Sequence, residues 1–256
     1  MSNIVAVHSW RGGTGKSTLV ARLGCLLAAR GLRVGLVDAS LQAPGLHEAL
    51  GLDGTQLRSC LWDYLSGACE IEDTHVDLAA LMPAGCAGRL YLVPARTDVE
   101  VITLSSASGQ YDAGLLHEGF HRLIQVLRLD LLFIDTYSGA NHEAMHAIAS
   151  ADIDILVTRA GSAENRSATF AASIAAKVGR TPPEPLLVVN MAPPDTDLDS
   201  VGVLAGAAYQ RTVAAVLPRV HDSLDDGGPE RHVAGLHAGL GQLADRLLLA
   251  APGRAG

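Results

Sequence analysis

Residues 8–24, HSWRGGTGKSTLVARLG, gather glycine, serine and threonine around one lysine and then pass into a leucine and alanine pattern. Glycine lacks the Cβ that keeps neighbouring backbone N–H groups apart, and the first turn of a helix leaves its amides unpaired and partially positive. Such a loop in front of a helix is a cradle for an anion. Lys16 adds a compact ammonium: only Lys16 and Lys177 are lysines among the nineteen basic residues. A chain with arginine nearly everywhere else keeps lysine at 16, where a guanidinium would be too wide for a phosphate slot. Two strand-ending aspartates complete the chemistry. LDLLFIDTYSG runs through large apolar residues to Asp135, and VGLVDASLQAPGL carries Asp38 in the same place on another strand. A carboxylate just beyond a buried strand, opposite a serine-containing phosphate loop, is where Mg²⁺ needs a direct or water-mediated partner. If their strands are neighbours, both aspartates face one ion, and residues 39–46 form a loop able to respond to a terminal phosphate.

These groups need a frame that brings strand ends together. Apolar runs at 3–8, 33–38, 89–94, 130–135, 152–158, 185–190 and 212–217 read as strands. Helical patterns fill 16–30, 113–128, 141–150, 162–178, 197–209 and 232–250. The alternation, with strands apolar throughout, predicts an α/β fold: a mostly parallel twisted sheet with helices on both faces and ligands at the strands' carboxyl ends. With 256 residues, 48% hydrophobic and 18% charged, the chain buries one substantial core. Residues 1–250 are expected to form a single domain, and 251–256 a short flexible tail.

Four cysteines (Cys25, Cys60, Cys69, Cys86) show no C-x-x-C spacing, and the opening MSNIVAVHSW lacks a signal-peptide pattern, so the expected location is cytoplasmic. A net charge of −8 argues against strong general binding to DNA. HEAMH (142–146) has zinc-helix spacing but lacks a third ligand, and it follows the Asp135 segment directly. His117 and His121 share that spacing and read as surface residues, while NRS (165–167) has the form of a glycosylation sequon. Leucines 236, 240, 243 and 247 make a stripe on the last helix whose polar side offers few cations, which reads as core rather than as a membrane-targeting tail.

In RGGTGKST (11–18), VDASLQAPGL (37–46) and LFIDTYSG (132–139) the chain resembles the MinD/ParA ATPases, P-loop NTPases with a deviant Walker A motif. The ordinary motif fails because Trp10 stands at its first glycine, whereas a basic residue followed by G-G-x-G-K-[ST] fits. The resemblance implies an ATP-dependent homodimer that binds ATP and Mg²⁺ and positions or regulates a protein partner or cargo. It implies that Arg11 crosses to the partner's phosphates, while Lys16 and the loop of Gly12, Gly13, Thr14, Gly15, Ser17 and Thr18 hold the chain's own. Ser17 would ligand Mg²⁺ with support from Asp38 and Asp135, and Gly139 would sense the terminal phosphate. Asn190 and Pro218 would lie against adenine. Arg11 stands where the family carries lysine, and Ser40 where it carries the aspartate that positions the attacking water. Gln42 is the substitute expected for that task, so ATP binding is expected with slow hydrolysis. A non-hydrolysing ATP sensor and an ATP-dependent ligase or kinase of related fold are the alternatives.

Overall fold

The structure is a computed structural model that describes residues 3–54, 57–95, 113–161, 174, 176, 179, 181–193, 195–219 and 229–250. In chain order its main elements are β1 (Asn3–His8), α1 (Lys16–Ala29), β2 (Arg33–Ala39), α2 (Leu46–Ala49), α3 (Leu61–Leu65), β3 (Val76–Asp77) and β4 (Arg89–Val93). There follow α4 (Ala113–Leu127), β5 (Leu131–Thr136), α5 (His142–Ser150), β6 (Ile153–Arg159), β7 (Leu186–Ala192), α6 (Leu198–Tyr209), β8 (Val213–Pro218) and α7 (Pro229–Ala250). The helix expected over 162–178 falls almost wholly outside the described residues, as do the NRS sequon and the segment 251–256.

One sheet runs β3-β4-β2-β5-β1-β6-β7-β8. All its described pairings are parallel except β3 with β4, which is antiparallel. Every residue of β1 and of β5 is buried, as strands covered on both faces require. On one face Leu19, Leu23 and Leu27 of α1 and Leu240, Leu243 and Leu247 of α7 pack with Val5, Val7 and Leu36 of the sheet. The leucine stripe of α7 is therefore core, as its pattern implied. On the other face Phe120 and Leu123 of α4 and Ile148 of α5 cover Ile4, Ala6 and Ile134. Tyr209 closes α6 against Leu156 and Leu187. Among the described residues no helix is long and apolar enough to cross a membrane.

What matters for the site is the order at the centre. β5 lies between β2 and β1, with Asp38 opposite Asp135 and Val7 opposite Asp135 in register. Parallel strands in register present their paired residues on one face, so the expectation that Asp38 and Asp135 are neighbours is met.

Candidate functional site

The helix that follows the glycine loop begins differently from α5 and α6. Asn141 caps α5 by accepting from Ala144 N–H at 2.8 Å, and Asp197 caps α6 by accepting from Asp199 and Ser200 N–H, each at 3.2 Å. α1 starts from Gly15 with no side-chain cap and no acidic residue in its first turn. Its first amides and its dipole are left to an anion. Gly15 has φ +79°, and a Cβ there would lie 2.6 Å from Asn190 Nδ2, so glycine is needed for both conformation and space.

A cavity of about 270 Å³ opens over this loop, lined by residues 12–18 on one side and by Ser40, Ala43, Thr136, Tyr137 and Ser138 on the other. Ser9, which the sequence reading passed over, ties the cavity together. Its buried hydroxyl donates to Arg11 O at 2.7 Å and accepts from Lys16 Nζ at 3.1 Å, while its carbonyl accepts from Gly139 N–H at 2.8 Å. The serine after a buried strand was the only hint. Burial lowers the Lys16 pKa, against Asp135 and Asp38, which raise it. A partly desolvated ammonium lacking a bonded carboxylate is prepared for an incoming anion.

The two aspartates are both fully buried but differently engaged. Asp38 accepts three backbone N–H bonds: Ser40 at 3.0 Å on one oxygen, Gly45 at 3.1 Å and Leu46 at 3.0 Å on the other. Both its oxygens hold the loop 40–46, a task the sequence did not indicate. Neither oxygen of Asp135 completes a hydrogen bond. Burial and the charge of Asp38 push its carboxyl up to about 7, against the Ser17 hydroxyl facing it and Lys16, which pull it down. Burial also raises the Asp38 carboxyl, and its three N–H bonds oppose that rise. A buried carboxylate with two unused oxygens beside a serine hydroxyl is an all-oxygen donor set of the kind Mg²⁺ takes.

The other expected residues are distributed around this centre. Gly139 has φ +90° and spends its N–H on Ser9. Asn190 lies two residues before the end of β7 beside the loop, donating from Nδ2 to Thr14 O at 2.8 Å and accepting from Met191 N–H, so its amide is engaged with protein. Pro218 lies one strand further out, at the end of β8, opposite Ala192 on β7. Gln42 is exposed and forms no part of the cavity lining. Ser40 does line it, but its hydroxyl donates to Ala43 O at 2.8 Å. Arg11 is exposed at the loop, on the rim of a second cavity of about 540 Å³ that shares Gly12 and Thr14 with the first. No cluster of three metal-ligating side chains occurs among the described residues.

Comparison with known proteins agrees with this geometry. The CobQ/CobB/MinD/ParA nucleotide binding domain family matches residues 5–221. A putative septum site-determining protein MinD of Guillardia theta is 30% identical over 160 residues, 62% of this chain and 53% of that protein. The chain thus spans about half the length of that relative. Among solved structures, MinD from Pyrococcus horikoshii complexed with Mg-ADP has a TM-score of 0.69 at 23% identity, over 98% of this chain and 100% of that one. Cobyrinic acid a,c-diamide synthase from Mycobacterium smegmatis, with bound ATP analog and magnesium, reaches 0.73 at 21% identity, over 97% and 94%. At these identities the structures establish the fold.

Proposed function

The chain belongs to the CobQ/CobB/MinD/ParA nucleotide-binding family, and from that premise we propose that it binds Mg-ATP in the cavity over residues 12–18 and hydrolyses it slowly. One observation carries the reading: the start of α1, with no side-chain cap, lines a cavity together with Thr136, Tyr137 and Ser138, and the buried Asp135 carboxylate that directly precedes them in β5 has no completed hydrogen bond and interacts with Ser17 of the same loop. The loop amides and Lys16 would hold the β- and terminal phosphates, with Thr18 and Gly13 completing the cradle. Ser17 and Asp135 would hold Mg²⁺, and Asp38 would fix the loop that meets the terminal phosphate. The metal would supply charge neutralisation at the phosphates. Asn190 and Pro218 would approach the base once Asn190 exchanges Thr14 for it.

Arg11, exposed at the loop, would reach the phosphates of a second copy of the chain, making nucleotide state a control on dimerisation and so on a partner or cargo. An arginine offered in trans suits phosphoryl transfer as a planar fork. Lys16→Ala should weaken Mg-ATP affinity by about a hundredfold or more in calorimetry, with the fold unchanged, since a partly desolvated charge contact is lost. Unchanged affinity would overturn the site. Arg11→Ala should keep most of that affinity and lose an ATP-driven rise in mass by light scattering. The second cavity, which shares Gly12 and Thr14 with the first in its lining, favours one other reading: a small phosphoryl acceptor bound there. ADP release that depends on added small carboxylates, with no change in mass, would support it.

A further inference from the structure

Beyond the loop amides and Lys16, the cavity leaves open which group from the segments after β2 and β5 meets a terminal phosphate. The Gly139 amide is bonded to Ser9 O, the Ser40 hydroxyl donates to Ala43 O, and Gln42 is outside the lining. Asp38 spends both oxygens on its loop. The polar side chains that remain on the wall opposite the phosphate loop, next to the buried Thr136, are Tyr137 and Ser138. Ser138 stands next to the loop: its Oγ lies 3.5 Å from where a Cβ on Gly12 would be, and it makes no hydrogen bond among the described residues. Thr136, by contrast, donates its hydroxyl to Val7 O at 3.0 Å.

We propose that the Ser138 hydroxyl contacts the terminal phosphoryl group of a bound nucleoside triphosphate and so distinguishes triphosphate from diphosphate. The inference rests on the nucleotide reading above and deepens it. A half-buried hydroxyl with no protein partner loses little by turning to an anion, and a hydrogen bond to a charged oxygen is among the stronger ones. Its position fits the far end of a triphosphate. The glycine loop and Lys16 would hold the phosphates from the α1 side, and the Ser138 hydroxyl lies beside Gly12 at the start of that loop, in the same cavity lining. The tie from Gly139 N–H to Ser9 O fixes the adjacent backbone, so the hydroxyl is presented from a held segment.

The test is calorimetry on the full chain with Mg²⁺, using ADP and a β,γ-imido analogue of ATP that cannot be hydrolysed. Wild type is expected to bind the analogue more tightly than ADP. Ser138→Ala should weaken the analogue by about tenfold to a hundredfold and change ADP by less than about twofold. Retained ADP binding also shows that the variant is folded. The proposal is overturned if Ser138→Ala keeps the wild-type preference, if it weakens both ligands equally, or if Tyr137→Phe and not Ser138→Ala removes the preference. A wild-type chain that binds neither nucleotide overturns the underlying site assignment instead, and does so before any variant is made.

Discussion

The ends of β2 and β5 carry the same residue type at paired positions, both fully buried, and they do opposite things. Asp38 closes its strand into a loop, with three N–H groups folded onto its two oxygens. Asp135 sits buried one residue before the cavity-lining Thr136, with neither oxygen bonded. Burying a carboxylate is costly unless its charge is compensated. At β2 the compensation is internal and belongs to the fold. At β5 it is deferred, and the carboxyl is held up to about 7 until something positive arrives. Identical strand-end aspartates thus divide into one held by the N–H groups of its own loop and one left without a hydrogen bond.

The division predicts unequal costs of removal. Asp38→Ala strips three N–H groups, two of them buried and one part-buried, of their acceptor, so urea unfolding without nucleotide should show a loss of about 3 kcal/mol. Asp135→Asn removes one charge of a like-charged pair and no hydrogen bond, and it should leave stability equal or slightly higher. An Asp135→Asn chain destabilised as much as Asp38→Ala would break the comparison.

The next effect is in pH. The Asp135 carboxyl is raised in the folded chain from 3.8 to about 7, so the folded chain keeps a proton that the unfolded chain releases. Its contribution is therefore full below about pH 4 and is lost as pH rises towards 7. Between about pH 5 and pH 7 the nucleotide-free chain should lose about 2 kcal/mol from this source. Mg²⁺ with nucleotide, binding the deprotonated form, should oppose the loss, and Asp135→Asn should reduce the slope, leaving what the buried Asp38 carboxyl contributes. A slope unchanged in Asp135→Asn would assign the proton elsewhere.

How much of this was legible beforehand follows the same line. The central parallel strands were readable because covered strands must be apolar throughout. The phosphate loop was readable because glycines before a leucine-patterned helix have few other uses. β3, at two residues, is too short to show a period, and α2 and α3 rest on tertiary contacts more than on pattern. Within the site, residue type located Asp38 and Asp135 but could not show which one the backbone had already claimed. The same gap hid Ser9, whose three bonds come from Arg11, Lys16 and Gly139, and the bond from Asn190 to Thr14 O. Those partners are set by the packing of separate segments, which no local spacing records.

The smallest effect tests the division most finely. Ser40 stands on the Asp38 side: its N–H is one of the three that Asp38 accepts, and its hydroxyl fastens the same loop at Ala43 O. Ser40→Ala should cost about 1 kcal/mol, the worth of one side-chain hydrogen bond, and should leave nucleotide affinity nearly intact. If loop 40–46 is one unit held by Asp38, that cost should shrink in an Asp38→Ala background, where the loop is already released, and stay unchanged in an Asp135→Asn background. Ser40→Asp sharpens the point. A carboxylate cannot donate to Ala43 O and adds a third negative charge beside two buried ones, so without Mg²⁺ this variant should be less stable than Ser40→Ala. With Mg-ATP bound it would place an acceptor on the cavity wall, and basal hydrolysis should rise, whereas Gln42→Ala, altering an exposed side chain outside the lining, should change nothing. A Ser40→Ala cost that couples to Asp135→Asn and not to Asp38→Ala would mean that the serine belongs to the cation side, and the two aspartates would then share a single task.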